Sequence, residues 1–423
     1  MGKFDKSQIL TAVEFGTSKI SVAIARRDKN GKLHVLAHSS LPSNGTVIKG
    51  EIVNIHDATQ IFQEVLTEAE TVSGIGECDP ENVFVAITGN HISSREGTGT
   101  ILINNPEHRV EKHHIAEVQT TASVTPLSDE IRKIDSIAVK FLLDSIYCDT
   151  PLDRIGTKLE AYTHIIVGSK SKIENSLIPI KDTHCDNPKP TFSGLASAWV
   201  GINDSEQEKG VLFIDFGAGT TEYLLLQPPD FFASGVIAVG CDHIVNDLAL
   251  VLELSFHQGQ DIFKKFLEIE ELDGNPFIEV THDLISINHK SRKIPFDTIN
   301  DVVELRIEEL FKVIKKEIRK KIPTSNPAAN YVVITGGGSL IPITKAKANE
   351  VFKTPVRINT TNNMRDFSHF PEELTSPKNS TVAGLLVHAS KLSNKSSFVN
   401  MLDRSITVQI SELFKKIKTA FKI

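Results

Sequence analysis

The stretch Val13-Glu14-Phe15-Gly16 and its near repeat, Ile214-Asp215-Phe216-Gly217, are the strongest indication of the fold. In each stretch an apolar strand ends in an acid, a phenylalanine and a glycine. Small or hydroxylic residues follow, and a second apolar run then begins. This order predicts a β-hairpin with a tight, glycine-bearing turn. One such hairpin is common in proteins, so the repeat is evidence of a duplicated fold only if other elements recur with it.

Two further elements recur in the same order. VFVAITGN at 83–90 matches YVVITGGGS at 331–339, each a buried-type strand that runs into a glycine turn. FSGLASAWV at 192–200 matches VAGLLVHAS at 382–390, each a helix whose small residues permit close backbone approach. Three matched elements in one order predict an α/β fold of two homologous lobes. Unequal spacing of the matches predicts an extra subdomain in each lobe, roughly at 89–190 and 241–327.

The composition bounds the class of protein. With 423 residues, of which 40% are hydrophobic, the chain can bury a sizeable core spread over two to four domains. Its 53 acidic and 46 basic side chains give a net charge of −7, which disfavours a nucleic-acid surface over the whole protein. The N-terminal segment and the longest apolar runs predict neither secretion nor a membrane span.

The cysteines and histidines show no metal-binding or disulfide pattern. Cys78, Cys148, Cys185 and Cys241 lie far apart in sequence without a CxxC pair, and no HExxH motif accompanies them. We therefore expect the four cysteines to be inert packing residues.

The two glycine turns suit a polyphosphate, because backbone N–H groups can converge on its oxygens without an intervening side chain. Lys19 adds a positive charge toward the terminal phosphates. Glu14 and Asp215 are candidates to hold Mg²⁺ through its waters, and are also the candidates for any catalytic role. Taken singly, each hairpin is better explained as an ordinary turn with a solvated acid; the duplication favours phosphate binding. The predicted phosphate-binding residues are Gly16, Thr17, Ser18, Lys19, Gly217, Ala218, Gly219, Thr220 and Thr221.

A third glycine turn follows the strand at 331–335. Its residues, Gly336, Gly337, Gly338 and Ser339, would let the backbone lie flat against a purine and its ribose. The run is not GxGxxG and lacks a suitably placed acid after the second strand, so a dinucleotide site is disfavoured.

The motifs together resemble a known superfold. EFGTSK at 14–19, DFGAGTTE at 215–222, ITGGGSLI at 334–341 and the two small-residue helices are similar to the nucleotide-site motifs of actin, the heat-shock chaperone ATPases and sugar kinases. The late insert in the first lobe resembles the FtsA branch of bacterial cell-division proteins, which includes the type IV pilus protein PilM. ITGNHISSREGTGTI at 87–101 and DTINDVVELRIEELFKVI at 297–314 strengthen that resemblance.

The resemblance spans nearly the whole chain and implies a two-lobed actin-like (ribonuclease H-like, duplicated) α/β fold. Each lobe carries an inserted subdomain, and an amphipathic helix ends the chain. Glu222 stands where the family usually has Asp. The implied divisions are the first-lobe core at 1–88, its SHS2-like insert at 89–166, a return to the first lobe at 167–202, the second-lobe core at 203–240 and 328–390, its insert at 241–327, a linker at 391–404 and the terminal helix at 405–423.

Purine contacts are also implied by the resemblance. The family places them on the helix after the second hairpin, which here gives Gly240, Asn246, Asp261 and Lys264. For Asp261 and Lys264, an i, i+3 surface ion pair is as good an explanation.

The last helix has its own pattern. An apolar stripe recurs at i, i+3, i+4 and i+7, with lysines on the opposite face, as is typical of helices that lie in the membrane interface. A helix packed on the protein body is the alternative. The predicted membrane residues are Ile410, Leu413, Phe414, Ile417, Phe421, Lys415, Lys418 and Lys422.

The function implied by the resemblance is an ATP- and Mg²⁺-binding division protein with slow or absent hydrolysis, at most a weak ATPase. It would self-assemble, bind FtsZ and other division proteins, and sit peripherally on anionic lipid at the inner face of the cytoplasmic membrane, at the division site. The FtsZ contact is expected on the helix bearing Glu304, Arg306 and Glu309, although a solvated helix face explains those charges equally well. A PilM-like envelope scaffold is the main alternative, and a small-molecule kinase is disfavoured because it has no use for an amphipathic tail.

Overall fold

A computed structural model describes residues 8–185, 187–227, 231–268, 277–281, 291–321, 329–360 and 364–393. The strands in these ranges are, in chain order, β1 (Ile9–Phe15), β2 (Lys19–Arg27), β3 (Leu33–Pro42), β4 (Val47–Ile48), β5 (Glu51–Ile52), β6 (Val83–Ile87), β7 (Ser93–Leu102), β8 (Ile131–Leu143), β9 (Ile146–Cys148), β10 (Lys158–Ser169), β11 (Lys189–Phe192), β12 (Val211–Phe216), β13 (Thr221–Gln227), β14 (Phe231–Ile237), β15 (Phe277–Thr281), β16 (Ser291–Pro295), β17 (Tyr331–Thr335), β18 (Val356–Ile358) and β19 (Phe367–His369). The helices are α1 (Ile55–Ser73), α2 (Lys112–Ala122), α3 (Lys170–Lys181), α4 (Ser193–Gly201), α5 (Asp204–Lys209), α6 (Cys241–Leu252), α7 (Phe256–Glu268), α8 (Phe296–Lys321), α9 (Thr344–Phe352) and α10 (Ser380–Ser393).

Five strands of each large sheet share one topology, and β19 extends the first sheet beside β3. The first runs β11-β6-β1-β2-β3-β19, and the second runs β18-β17-β12-β13-β14. In both, three consecutive strands form an antiparallel meander. A fourth strand, β6 or β17, pairs in parallel with the first strand of the meander, and a fifth, β11 or β18, pairs in parallel with the fourth. The predicted duplication into two homologous lobes is therefore confirmed.

The strand registers correct one detail of the predicted repeat. Glu14 pairs with Ala86 on β6, whereas Asp215 pairs with Thr335 on β17. Ala86 thus occupies the place of Thr335, although the sequence match had aligned Thr88 with Thr335. The match is displaced by two residues, which preserves the face on which each side chain lies and so leaves the apolar pattern unchanged.

The first insert is a four-stranded sheet covered by one helix. Its strands run β7-β10-β8-β9, all antiparallel, and α2 packs on one face. A Cβ on Gly97 would lie 2.0 Å from the carbonyl oxygen of Ala122, and one on Gly99 would lie 2.4 Å from the amide nitrogen of Ala122. The alternating glycines of β7 therefore allow α2 to lie directly on the sheet.

The second insert consists of α6, α7, the β15–β16 hairpin and α8. The long α8 covers the predicted helix at 297–314 and extends to Lys321. Its buried face repeats at helical spacing through Val303, Ile307, Leu310 and Ile314, as an amphipathic helix requires.

Helices α4 and α10 cross in direct backbone contact. A Cβ on Gly384 would lie 1.8 Å from the carbonyl oxygen of Ala196, so the small residues serve the close approach predicted for them. The core on one face of the first sheet includes Leu10 and Phe84 together with Val382 and Leu386 of α10. Helix α10 and strand β19 thus pack on the first lobe, although the sequence assigned 328–390 to the second-lobe core.

The segment before α4 also departs from expectation. Pro188 and Pro190 indicate a loop over 182–190, because proline interrupts regular structure, but Lys189–Phe192 forms β11 in parallel with β6. Pro190 is accommodated because β11 ends the hydrogen-bonded order of its sheet, where one row of backbone donors needs no strand partner.

Two of the cysteines lie closer together than their sequence positions suggest. Cys78 and Cys185 are buried and 107 residues apart in sequence, yet their Sγ atoms lie 2.9 Å apart in the first lobe. Sequence distance misled here because the loop after α1 and the loop after α3 meet in the fold. Cys148 is buried in the insert, and Cys241 begins α6.

Candidate functional site

The two predicted phosphate turns have the same local geometry. The Gly16 amide donates to the Lys19 carbonyl at 2.9 Å, and the Gly217 amide donates to the Thr220 carbonyl at 3.0 Å. A Cβ added to either glycine would lie 2.9 Å from the carbonyl that its own amide contacts. Both tight turns therefore depend on a glycine at their first position.

The two turns meet between the lobes. A Cβ on Gly219 would lie 2.4 Å from Thr17 Oγ1 and 2.9 Å from the Lys49 Cα atom. The Gly50 amide donates to Thr17 Oγ1 at 3.2 Å, so the β4–β5 hairpin joins the same meeting point. Lys49 and Gly50 have positive φ angles of 50° and 75°, as this two-residue turn requires. The sequence contained that turn signal, but nothing local indicated that the hairpin faces the opposite lobe.

Glu14 and Asp215 form a pair of acids beneath the turns, of which Asp215 is buried and Glu14 partly buried. Burial raises the pKa of Glu14 to about 7, opposed by Lys19 and reinforced by Asp215. Burial likewise raises the pKa of Asp215 to about 6, while hydroxyl groups of Ser197 and Thr381 oppose the increase. Glu14 Oε2 is inaccessible to solvent and has no hydrogen-bond partner among the described residues. An unsatisfied carboxylate oxygen beside a second acid fits a hydrated divalent cation.

Lys19 is held in place from the far end of the chain. Its ammonium group donates to Asn379 Oδ1, in the 3-10 turn Pro377–Asn379, and Asn379 Nδ2 donates to the Glu373 carbonyl at 2.7 Å. Burial lowers the pKa of Lys19, Glu14 opposes that change, and Lys378 adds to it. Lys378 thus brings a second, exposed positive charge to this end of the site, and the sequence had not singled it out.

Glu222 bridges the lobes. The Thr88 hydroxyl of the first lobe and the Thr220 hydroxyl of the second both donate to Glu222 Oε1, the latter at 2.9 Å. Burial raises the pKa of Glu222 to about 8, and the charge of Asp215, its cross-strand neighbour, adds to the increase.

The third glycine run lies against the second hairpin. Gly336 has a φ of 82°, and a Cβ there would lie 2.4 Å from Asp215 Oδ1. A Cβ on Gly338 would lie 2.3 Å from the Phe216 ring. Ser339 Oγ donates to the Gly336 carbonyl at 2.7 Å and closes the turn. The fold therefore gathers all three glycine turns at one place.

Gly240 joins this group through the start of α6. The amides of Cys241 and Asp242 donate to the carbonyls of Gly217 and Ala218 at 3.1 and 2.9 Å. A Cβ on Gly240 would lie 2.3 Å from the Ala218 carbonyl oxygen, so the helix begins directly on the second turn.

The other three residues implied for purine contact are solvent-exposed. Asn246 lies on α6, and Asp261 and Lys264 lie on α7. The carboxylate of Asp261 is 3.5 Å from His257 Nδ1, one helical turn earlier. The structure thus gives Asp261 an i, i+4 neighbour in place of the suggested i, i+3 pair with Lys264.

The charged residues suggested for a partner contact on α8 take part in internal ion pairs. Arg306 holds Asp247 of α6 through two hydrogen bonds, of 2.5 and 2.9 Å, and also contacts Glu309. Glu304 pairs with Lys347 of α9. These charges connect helices within the second lobe and are not simply a solvated face.

The predicted membrane helix lies outside the described residues, so its role stays a prediction. Within the described ranges, no helix is both long and apolar enough to cross a bilayer.

Comparison with known proteins identifies the family. The model named "Cell division protein FtsA" matches residues 212–384, and the model for the SHS2 domain inserted in FtsA matches residues 89–167. Together they match more than half of the chain. This chain belongs to the FtsA family. FtsA of Borreliella burgdorferi is 27% identical over 387 residues, covering 90% of each chain. FtsA of Pseudomonas aeruginosa is 26% identical over 392 residues, covering 92% of this chain and 91% of the relative.

Solved structures show that this FtsA-family chain has the actin-like fold. The PilM-PilN type IV pilus biogenesis complex matches with a TM-score of 0.58 at 15% identity, covering 90% of this chain and 98% of the other. MreB 5 of Spiroplasma citri bound to AMPPNP matches with a TM-score of 0.55 at 13% identity, covering 92% of this chain and 97% of the other. At these identities the likeness concerns the fold alone.

Proposed function

We propose that this FtsA-family chain binds ATP with Mg²⁺ between its lobes, self-assembles, and tethers FtsZ filaments to the inner face of the cytoplasmic membrane at the division site. One observation carries the nucleotide part of the proposal. Two turns with the same hydrogen-bond geometry meet through Thr17 and Gly219, above the paired acids Glu14 and Asp215.

Each part of the site has a role in this proposal. Amides of the turns at 16–19 and 217–221 bind the phosphates, and Lys19 adds charge at their end. Glu14 and Asp215 hold the waters of Mg²⁺, which neutralises phosphate charge when bound. The turn at 336–339 and Gly240 line the nucleoside side. Support comes from MreB 5 of Spiroplasma citri, an actin-like neighbour solved with AMPPNP and with ADP.

ATP binding tests this proposal directly. Calorimetric titration of the wild type should give at least about tenfold tighter binding with Mg²⁺ than with a chelator, because the cation links the acids to the phosphates. Asp215→Ala should lose most of that magnesium advantage. Asp301→Ala, at an exposed acid on α8, is the matched control and should behave like the wild type. Magnesium-independent binding by the wild type would contradict the assignment of the acids.

Slow or absent hydrolysis agrees with the state of Glu222. A carboxyl whose pKa is raised to about 8 carries its proton near neutral pH and is then unable to accept one from an attacking water. We therefore propose that ATP acts mainly as a ligand that selects the closed arrangement of the lobes, and that this arrangement sets contacts between subunits.

Membrane attachment is proposed for the helix at 405–423. Two phenylalanines on one face and lysines on the other favour anionic lipid, with each lysine contributing about 1 kcal/mol near the surface. In a liposome flotation assay the wild type should float with anionic vesicles and much less with neutral ones. The double variant Phe414→Glu/Phe421→Glu should remain in the soluble fraction. Equal flotation of the two proteins would refute the anchor.

A PilM-like scaffold is the second candidate, because PilM in its pilus complex has the same fold. Such a scaffold would not need the last helix for recruitment. Deleting 405–423 separates the two candidates: loss of membrane recruitment supports the division anchor, and unchanged recruitment supports the scaffold.

A further inference from the structure

A second group of polar side chains meets in the first lobe, apart from the site between the lobes. Cys78 follows α1, and His184 and Cys185 lie in the loop between α3 and β11. The Cys78 Sγ atom is 2.9 Å from Cys185 Sγ and 3.5 Å from His184 Nε2. Glu70, near the end of α1, places Oε1 2.9 Å from the same His184 nitrogen.

We propose that Cys78, His184 and Cys185, with Glu70 completing the set, bind a divalent metal ion of the zinc class. Two sulfurs, one imidazole nitrogen and one carboxylate oxygen are the donors that zinc takes in tetrahedral sites. One ligand atom from each of Cys78, His184 and Cys185 lies within 4.8 Å of the other two.

The surroundings suit a site that binds and retains an ion. Cys78 and Cys185 are 1% and 0% exposed, so the sulfurs face the interior, whereas the side chain of His184 is 35% exposed and gives an ion access from solvent. Glu70 Oε1 also accepts the Cys78 amide at 2.7 Å. That bond orients the carboxylate, as supporting hydrogen bonds do in metal sites.

Binding requires a small rearrangement. Two thiolates on one zinc ion, each at about 2.3 Å, stand roughly 3.8 Å apart, so the sulfurs must separate by roughly an ångström. Cys185 lies in a loop and can supply that movement. The 3.5 Å between Cys78 and His184 already suits a shared ion.

A disulfide between the cysteines is the competing chemistry. It would use the two sulfurs and give no reason for His184 and Glu70 to converge on them. A metal site explains all four groups, and it would tie together segments 107 residues apart in sequence, next to the start of β11. Its role would be to stabilise the first lobe.

Cobalt substitution tests the proposal on the full chain. Reduced wild-type protein, stripped with a chelator and titrated with Co²⁺, should develop a thiolate-to-cobalt charge-transfer band and the visible bands of tetrahedral cobalt, saturating at one ion per chain. Cys185→Ser and His184→Ala should each weaken cobalt binding by about tenfold or more. Cys148→Ser, at a buried cysteine of the insert, is the matched control and should titrate like the wild type.

Two results would overturn the metal site. One is a wild-type titration without the thiolate band, or an unchanged band in Cys185→Ser. The other is a metal-free purified protein whose mass and thiol count show a Cys78–Cys185 disulfide. If the variants fail to fold, thiol alkylation of the wild type decides instead: zinc should protect both cysteines against alkylation, and equal labelling with and without zinc refutes the proposal.

Discussion

Asp215 has neighbours from two distant parts of the chain and from the adjacent strand of its own hairpin. The Thr381 hydroxyl donates to its Oδ2 at 3.4 Å, Gly336 leaves no room for a side chain beside its Oδ1, and Glu222 lies opposite it on β13. Lys19 is the cation that acts on the adjacent Glu14. Burying several acids together favours their protonated forms until a cation arrives.

This clustering predicts a pH dependence of stability in the absence of nucleotide. The folded-state pKa values of Glu14, Asp215 and Glu222 lie above their ordinary values, so the folded protein binds more protons than the unfolded chain at neutral pH. The free energy of unfolding contributed by these groups therefore falls as pH rises from about 4, near the ordinary carboxyl pKa, to about 8. Asp215→Asn should flatten this dependence between about pH 4 and pH 6, by up to about 1.4 kcal/mol per pH unit, measured by denaturant unfolding.

Comparison of the wild type with Asp215→Asn isolates the effect of Asp215. Burial also raises the pKa of Asp135 to about 7, but Asp135 titrates in both proteins and its contribution cancels. An identical pH dependence for wild type and Asp215→Asn would show that Asp215 is already ionised in the free protein.

At the crossing of α4 and α10, the two helices lie too close together to admit larger side chains. Helix α4 is buried along its whole length, and Gly201 meets the Phe213 ring where a Cβ would lie 2.2 Å from the nearest ring carbon. At the crossing itself Gly384 lies on the Ala196 backbone, which has no flexible side chain to give way.

Gly384→Val should therefore destabilise the protein strongly. The added methyl groups must push two backbones apart, and overpacking of this kind costs about 3 kcal/mol or more. Thermal unfolding should show a lowered midpoint or a loss of folded protein. Leu392→Ala, on the exposed side of α10, is the control and should change stability by less than about 0.5 kcal/mol. Matching midpoints for Gly384→Val and wild type would mean that the helices do not touch in solution.

Some of these elements could be predicted from the sequence and others could not. The hairpins β1–β2 and β12–β13 and the helix α8 were predictable because their signals are local: glycine at a tight turn and apolar residues at a fixed period. The register of the paired strands was not predictable, since a displacement of two residues leaves a strand's apolar pattern intact. Strand β11 was missed because proline is tolerated in edge strands but not in central ones, and the sequence does not show that the strand containing Pro190 lies at an edge.

In the whole molecule, the two lobes are joined at the site by Glu222 and Thr88. This contact joins segments far apart in sequence, and neither segment has a local pattern that predicts it. The same is true of the contacts between Lys49 and Gly219 and between Cys78 and Cys185. The sequence identified the turns that form the candidate site, but the side chains that close it emerged only from the fold.

The Thr88–Glu222 bond predicts a control on lobe opening. Thr88→Val keeps the shape of the side chain but removes the first-lobe donor, at a cost of about 1 kcal/mol to the closed arrangement. Hydrogen exchange of the nucleotide-free protein should then quicken in peptides covering 14–19 and 215–222.

Thr220→Val provides the contrast, because it removes a donor to the same carboxylate from within the second lobe. Exchange in the first-lobe peptide should stay near the wild-type rate in that variant. Equal acceleration in both variants would show that Glu222 acts inside one lobe and not between the two.

The placement of α10 has a consequence for biosynthesis. Leu10 and Phe84, near the beginning of the chain, share their core with Val382 and Leu386, near the end of the described residues. A ribosome must release the chain as far as Leu386 before α10 can cover the first sheet. Newly made N-terminal portions will therefore expose an apolar sheet face, making them clients for chaperones and targets for proteases until the closing helix arrives.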